Sequence, residues 1–310
     1  MASVRELRGR IATLKNIEKI TRAVKMISVV KMRRAQERVL SLRPYATAMR
    51  RLLADLIAND ESLQNPLITP REKKNAAVVV ITSDRGLCGA FNTNLVKLGA
   101  QHATELAQTI PQGGVVKLFC VGKKSNEFYT RRNYAIAGQY PGLFQDLQFD
   151  SAQEITRQVV EGYLRGKYDS VDIIYSEFLS LTRQRNTIER MLPVPISEQK
   201  AEHDMPAKQI SSATKDVKKD VAINYIFEPN VKEIFERLLP QSLNLQMWNA
   251  LLASNASEHS ARMVAMDNAT KNAGELITGL SLVYNKARQS AITKEILEIV
   301  SGAEALRGGA

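Results

Sequence analysis

Ala76-Ala-Val-Val-Val-Ile-Thr82, followed at once by Ser83-Asp84-Arg85-Gly86-Leu87-Cys88-Gly89-Ala90-Phe91-Asn92 and the apolar periodicity of residues 94–106, decides the fold. An unbroken β-branched run bounded by a Gly-containing turn reads as a strand buried on both faces. The turn then leads into a helix. The same alternation continues outward, with strands over 115–121 and 171–178, a helix over 152–164, and further strands over 187–192 and 222–227. Strand–helix–strand order implies a largely parallel, Rossmann-like α/β sheet with helices on its faces.

The flanks of this domain have another character. All ten prolines fall between Pro44 and Pro240, so residues 1–43 and 241–310 contain none. Proline in a helix interior costs about 3 kcal/mol, and its absence permits helices far longer than usual. At the N-terminal end Val4, Leu7, Ile11, Leu14, Ile17, Ile20, Val24 and Ile27 recur every three or four residues. The short step at Ile17 reads as a stammer, and Pro44 predicts a kink or local break. At the C-terminal end His259, Met266, Ala273, Leu280 and Ala287 are seven apart, and Met263, Thr270, Ile277, Tyr284 and Ala291 follow each by four. The ends of a compact domain usually lie near each other, so the two helices are expected to pair as an antiparallel coiled coil. The expected organisation is an N-terminal coiled-coil helix over 1–62, an α/β domain over 75–228 and a C-terminal coiled-coil helix over 230–310. Residues 197–220 are polar and aperiodic and read as a mobile surface loop.

The net charge of +11 has a location. Residues 1–51 hold 14 Lys and Arg against three acids, while the remainder balances at 29 of each. The N-terminal helix therefore presents a basic face to an acidic partner, which protein loops or a nucleic acid could supply. With 44% apolar and 24% charged residues the chain is an ordinary globular one. No run approaches the 18 apolar residues of a membrane span, and the first residues lack a signal-peptide core. Cys88 and Cys120 are too few for a disulfide framework, and His102, His203 and His259 have no metal-ligand spacing.

The Gly-rich turn sits where phosphate sites often form, after a strand and before a helix. It lacks both the Gly-Lys-Ser/Thr of a P-loop and the Gly-x-Gly-x-x-Gly of a dinucleotide turn. Read alone it is a tight connection capped by Asp84 and Asn92, and no catalytic constellation stands out elsewhere. A domain carrying long helices points to a mechanical or coupling part. A basic coiled-coil nucleic-acid-binding protein and a nucleotide-using α/β enzyme remain alternatives.

Three strings carry a resemblance: the Ser83–Asn92 turn, Lys19-Ile-Thr-Arg-Ala-Val-Lys-Met-Ile27, and Ile292-Thr-Lys-Glu-Ile-Leu-Glu-Ile-Val-Ser-Gly-Ala-Glu-Ala-Leu306. Together they resemble the gamma-subunit family of F-type ATP synthases, over Met1 to about Leu306. The resemblance implies a central rotor shaft that couples ion-driven rotation of a membrane ring to ATP synthesis or hydrolysis, with no catalytic centre, metal or cofactor of its own. The implied partners are the alpha and beta subunits, the epsilon subunit and the membrane c-ring, with no nucleic acid. The implied place is peripheral, on the cytoplasmic face of a bacterial inner membrane. It carries partner-binding roles onto Lys19, Arg22 and Lys25 beside acidic loops of the beta subunits. Tyr225 and Glu228 would rest on the ring, and Arg288, Gln289, Thr293 and Glu295 would meet alpha and beta loops. Chloroplast relatives carry a regulatory cysteine pair in an inserted segment; this sequence has none, so thiol regulation is not implied.

Overall fold

The computed structural model describes residues 3–59, 65–111, 113–181, 183–195, 228 and 230–307. The chain begins with helix α1 (Val4–Asn59) and ends with helix α5 (Val231–Arg307). Each starts on a side-chain cap. Ser3 Oγ accepts the Glu6 N–H at 3.2 Å, and Asn230 Oδ1 accepts the Glu233 N–H at 2.8 Å. Between them lie β1 (Ala76–Ile81), α2 (Phe91–Thr109), β2 (Val116–Val121), α3 (Lys123–Thr130), β3 (Ile136–Tyr140), α4 (Phe149–Leu164), β4 (Ser170–Phe178) and β5 (Gln184–Leu192). The chain divides into two compact units. One comprises residues 32–86 and 90–258, the other residues 1–31, 87–89 and 259–310.

The first unit is the α/β domain. Its sheet runs β3-β2-β1-β4-β5, parallel throughout except for the antiparallel β4–β5 hairpin. All six residues of β1 are buried, as its central place requires. One face carries Ala77, Val79, Ile81, Phe119, Val121, Val171 and Ile173. These pack with Ile155, Val159 and Tyr163 of α4, Leu53 and Leu56 of α1, and Phe235, Leu239, Leu243 and Leu251 of α5. The ends of both long helices are thereby part of the domain core. Elements α3 and β3, which the hydrophobic pattern does not reveal, complete the sheet's far edge, and the strand expected at 222–227 lies outside the described residues, as does the 197–220 loop.

Two expectations for α1 meet the structure here. The local break allowed for at Pro44 is absent, and the helix is continuous through it. The proline removes one backbone donor, but Leu40 and Pro44 are exposed, so water can satisfy the carbonyl left behind. Nor is there a stammer. In the second unit the residues of α1 turned inward include Val4, Leu7, Ile11, Leu14, Glu18, Thr21, Lys25 and Ser28, an unbroken heptad series, with Val24 and Val29 half-buried beside it. Ile17, Ile20 and Ile27 are exposed instead. The seam of α5 follows its heptads as expected, with each seam residue from His259 to Ala291 buried or half-buried. As α1 advances from Thr21 to Lys25, its bonded partners on α5 retreat from Thr270 to Asp267, which is antiparallel pairing.

Candidate partner-binding surfaces

In a doubly wound sheet, ligands bind where the strand order reverses, here between the carboxyl ends of β1 and β4. That crevice is occupied by the protein's own groups. Fully buried Ser257 of α5 donates to the Ser176 carbonyl at the end of β4, at 2.9 Å. In the turn after β1, Asn92 Oδ1 accepts the Ser83 N–H at 2.9 Å, and Ser83 Oγ donates to the Arg85 carbonyl at 2.6 Å. Asp84 gathers three backbone donors: Oδ1 accepts Lys123 N–H at 2.9 Å and Gly142 N–H at 2.7 Å, and Oδ2 accepts Phe144 N–H at 2.9 Å. An internal carboxylate thus satisfies backbone donors at the start of α3 and in the loop after β3.

The tip of the turn, residues 87–89, belongs to the coiled-coil unit. Leu87 and Gly89 have φ of 62° and 59°, and a Cβ on Gly89 would stand 3.8 Å from that of Ala265. There is room for a methyl group, so the glycine is set by backbone conformation rather than by crowding.

The outward faces of the coil are unusual for a protein surface. Ile20, Met26 and Ile27 of α1 and Leu276, Leu282 and Val283 of α5 are more than half exposed. Lys19 and Arg22 stand among them, exposed, with Arg22 bonded to Glu18 at 2.7 Å. Such an intrahelical pair is worth only about 0.3–0.5 kcal/mol and is easily exchanged for another carboxylate. Lys25 is placed differently. It turns into the seam and pairs with Asp267 at 2.5 Å, while Lys271 holds the other carboxylate oxygen at 3.0 Å. Beyond Ala291 the α5 seam has no partner, and every residue whose side chain is described there is exposed. Thr293 and Glu295 lie here, and exposed Arg288 and Gln289 flank the last seam turn just before it, interleaved at helical spacing with exposed Ile292, Ile296, Ile299 and Val300. Thr293 already donates its hydroxyl proton to the Gln289 carbonyl at 2.9 Å. Glu228 is exposed, and Tyr225 lies outside the described residues.

The family model described as ATP synthase matches residues 3–306. The ATP synthase gamma chain of Chloroherpeton thalassium is 43% identical, with 100% of both chains covered. The chain belongs to the ATP synthase gamma-chain family. The gamma chain of Cytophaga hutchinsonii is 44% identical, with 99% of each covered. A chain in the cryo-EM structure of the Euglena gracilis mitochondrial ATP synthase (OSCP/F1/c-ring, rotational state 3) shares the fold, with a TM-score of 0.65 at 23% identity over 99% of this chain and 95% of that one. Membership in the gamma-chain family gives the basic α1 face a protein context and leaves the nucleic-acid reading without support. None of the described helices is long and apolar enough to cross a membrane.

One polar cluster in this gamma-chain member escaped the sequence reading. Asp172 on β4, 2% exposed, accepts from His102 Nε2 of α2 at 2.8 Å and from Arg190 Nε of β5. The carboxylate is fully engaged and ties three elements together, an architectural role. Spacings of 70 and 18 residues leave no local signature.

Proposed function

We propose that this chain is the central rotor shaft of an F-type ATP synthase, turned at its α/β foot by ion flow through the membrane c-ring and acting on the catalytic sites of an alpha–beta hexamer through its coil. The observation that carries this reading is the two-helix coil whose outer faces remain broadly apolar, in a member of the gamma-chain family. Such surfaces mark contact with other proteins. A shaft alters the affinity of a site only if its contacts differ between that site's conformations, since equal contact shifts no equilibrium. A two-helix coil meets this requirement because its sides differ in chemistry: Lys19 and Arg22 stand on α1, and an uncharged apolar group of Leu276, Leu282 and Val283 stands on α5.

On this reading Lys19 and Arg22 slide past beta-subunit carboxylates, and Lys25 joins them only by exchanging Asp267. Arg288, Gln289, Thr293 and Glu295 engage alpha and beta loops, and the apolar groups between them turn in a sleeve. Tyr225 and Glu228 rest on the c-ring, and the epsilon subunit binds the foot. The chain supplies no catalytic group, and the assembly sits peripherally on the cytoplasmic face of a bacterial inner membrane. The test is reconstitution of the chain with alpha, beta, epsilon and ring-containing membranes. ATP-driven ion pumping should require the chain, and replacing Tyr225 and Glu228 together by Ala should abolish pumping while sparing ATP hydrolysis by the soluble head. Pumping at the wild-type rate without the chain would refute the reading.

A further inference from the structure

We propose that Thr21, Lys25, Asp267 and Thr270 are positioning residues that lock α1 and α5 in a single register. The role in coupling that follows from this rests on the rotor reading above; the lock itself does not.

Heptad seams are repetitive, and two helices that present mostly apolar groups can slide past one another by seven residues at little cost. The seam of α1 is apolar from Val4 to Leu14 and then changes, with Glu18, Thr21, Lys25 and Ser28 at the next four positions. Two of these reach across. Thr21, 8% exposed, lies 2.8 Å from Thr270, oxygen to oxygen. Each hydroxyl also has a carbonyl within reach on its own helix, Glu18 at 3.1 Å for Thr21 and Met266 at 2.8 Å for Thr270, so either can donate in the interhelical bond while the other donates within its helix. One turn on, Lys25 meets Asp267.

The pair is too exposed for its strength to explain its presence, with side chains 40% and 32% accessible. What it provides is discrimination. A slip of one heptad in one direction sets Asp267 against Glu18, like charge on like. In the other direction Lys25 faces Gly274, which offers no side chain. Either slip also strips buried Thr21 of its interhelical partner, leaving it only the Glu18 carbonyl on its own helix. A polar layer that is satisfied in one alignment and frustrated in its neighbours is a device for fixing register. The Asp267 carboxyl is held below the usual carboxylate range by Lys25 first and then Lys271, so it stays ionised in this role. A shaft that slipped would dissipate torque along its own seam.

The test uses the full-length chain, spin-labelled at Ile20→Cys and Leu276→Cys, both exposed positions, with Cys88 and Cys120 left buried in place. Pulsed electron resonance should give one interhelical distance for the parent. Replacing all four residues by Leu keeps the helices paired and should add a population displaced along the axis by about 10 Å, seven residues at ~1.5 Å each. The exchange Lys25→Asp with Asp267→Lys, both threonines retained, should restore a single distance. A single parental distance in the Leu variant would overturn the lock. In the reconstituted complex the Leu variant should pump fewer ions per ATP than the exchanged pair; equal coupling would overturn the positioning role. If the parent chain itself supports no pumping, the rotor reading fails, while the distances, which need only this chain, still decide the lock.

Discussion

Replacing Asp84 with Asn is nearly isosteric, yet it should loosen one corner of the sheet. The carboxylate accepts from three backbone donors, Lys123, Gly142 and Phe144, on two separate loops. An asparagine oxygen can keep the first two, while its NH₂ group then confronts the Phe144 N–H, donor against donor. A hydrogen bond to a charged acceptor is worth about 1.5–3 kcal/mol, and the two retained bonds lose their charge assistance. Because Asp84 and Phe144 are half-buried, water can relieve part of the loss, and the net cost is about 2–3 kcal/mol. Amide hydrogen exchange resolves this by site. Exchange at Phe144 should accelerate roughly 30- to 150-fold, taking 1.4 kcal/mol per factor of ten, with smaller gains at Gly142 and Lys123. The amides of β1, held in the sheet centre, should not respond. Equal acceleration at all sites, or none at Phe144, would refute the idea that Asp84 clasps these loops.

Gly99 leaves no room for a methyl: a Cβ there would lie 2.3 Å from Tyr129 Oη and 3.0 Å from Val80. Gly99→Ala should cost about 1–3 kcal/mol by urea unfolding monitored at the single tryptophan, Trp248, and much less in a Tyr129→Phe background, where the clashing oxygen is gone; an undiminished cost there would show the clash is not the cause. His259 in the seam is pushed down to about 4 by burial, with Arg262 and Lys31 adding to the shift. Its folded value lies below its unfolded value, so the isolated chain should lose up to roughly 3 kcal/mol as pH falls from about 6.5 to 4, and His259→Gln should flatten that slope in thermal melts. Arg288→Ala with Gln289→Ala should depress the ATPase rate of the reconstituted complex severely, whereas deletion of residues 302–310 should leave substantial activity; the opposite ranking would argue against the proposed contacts.

The α/β domain was legible where burial was complete. Strand β1 and the heptads of α5 appear in the sequence because nearly every inward position is apolar or small. Elements α3 and β3 were not. Helix α3 buries only Ser125 and Tyr129, and β3 is an edge strand of five residues containing a glycine, so neither carries enough apolar contrast to register. The seam of α1 was misread for the opposite reason. Ile17, Ile20 and Ile27 are apolar yet face outward, because this surface is not built to meet water. The groups that do face inward, Thr21 and Lys25, are polar and satisfied across the seam. Hydrophobicity marks what is hidden from solvent in the final assembly, whereas pairing in the single chain follows geometry. The same ambiguity affects the sites: exposed Arg288 and Gln289 have a pattern only in relation to surfaces that other chains provide.

Helix α5 outlasts its companion by about four turns past Ala291, since α1 begins at Val4. Those turns have no tertiary contact among the residues whose side chains are described, and a helix so short holds itself together poorly in water. In the free chain this end should therefore open and close on its own, uncoupled from the melting of the domain. Trypsin should find Lys294 early in the free chain and late in the assembled one. The cell's proteases would read the same difference, giving this subunit a tag that marks it as an orphan until its partners enclose it.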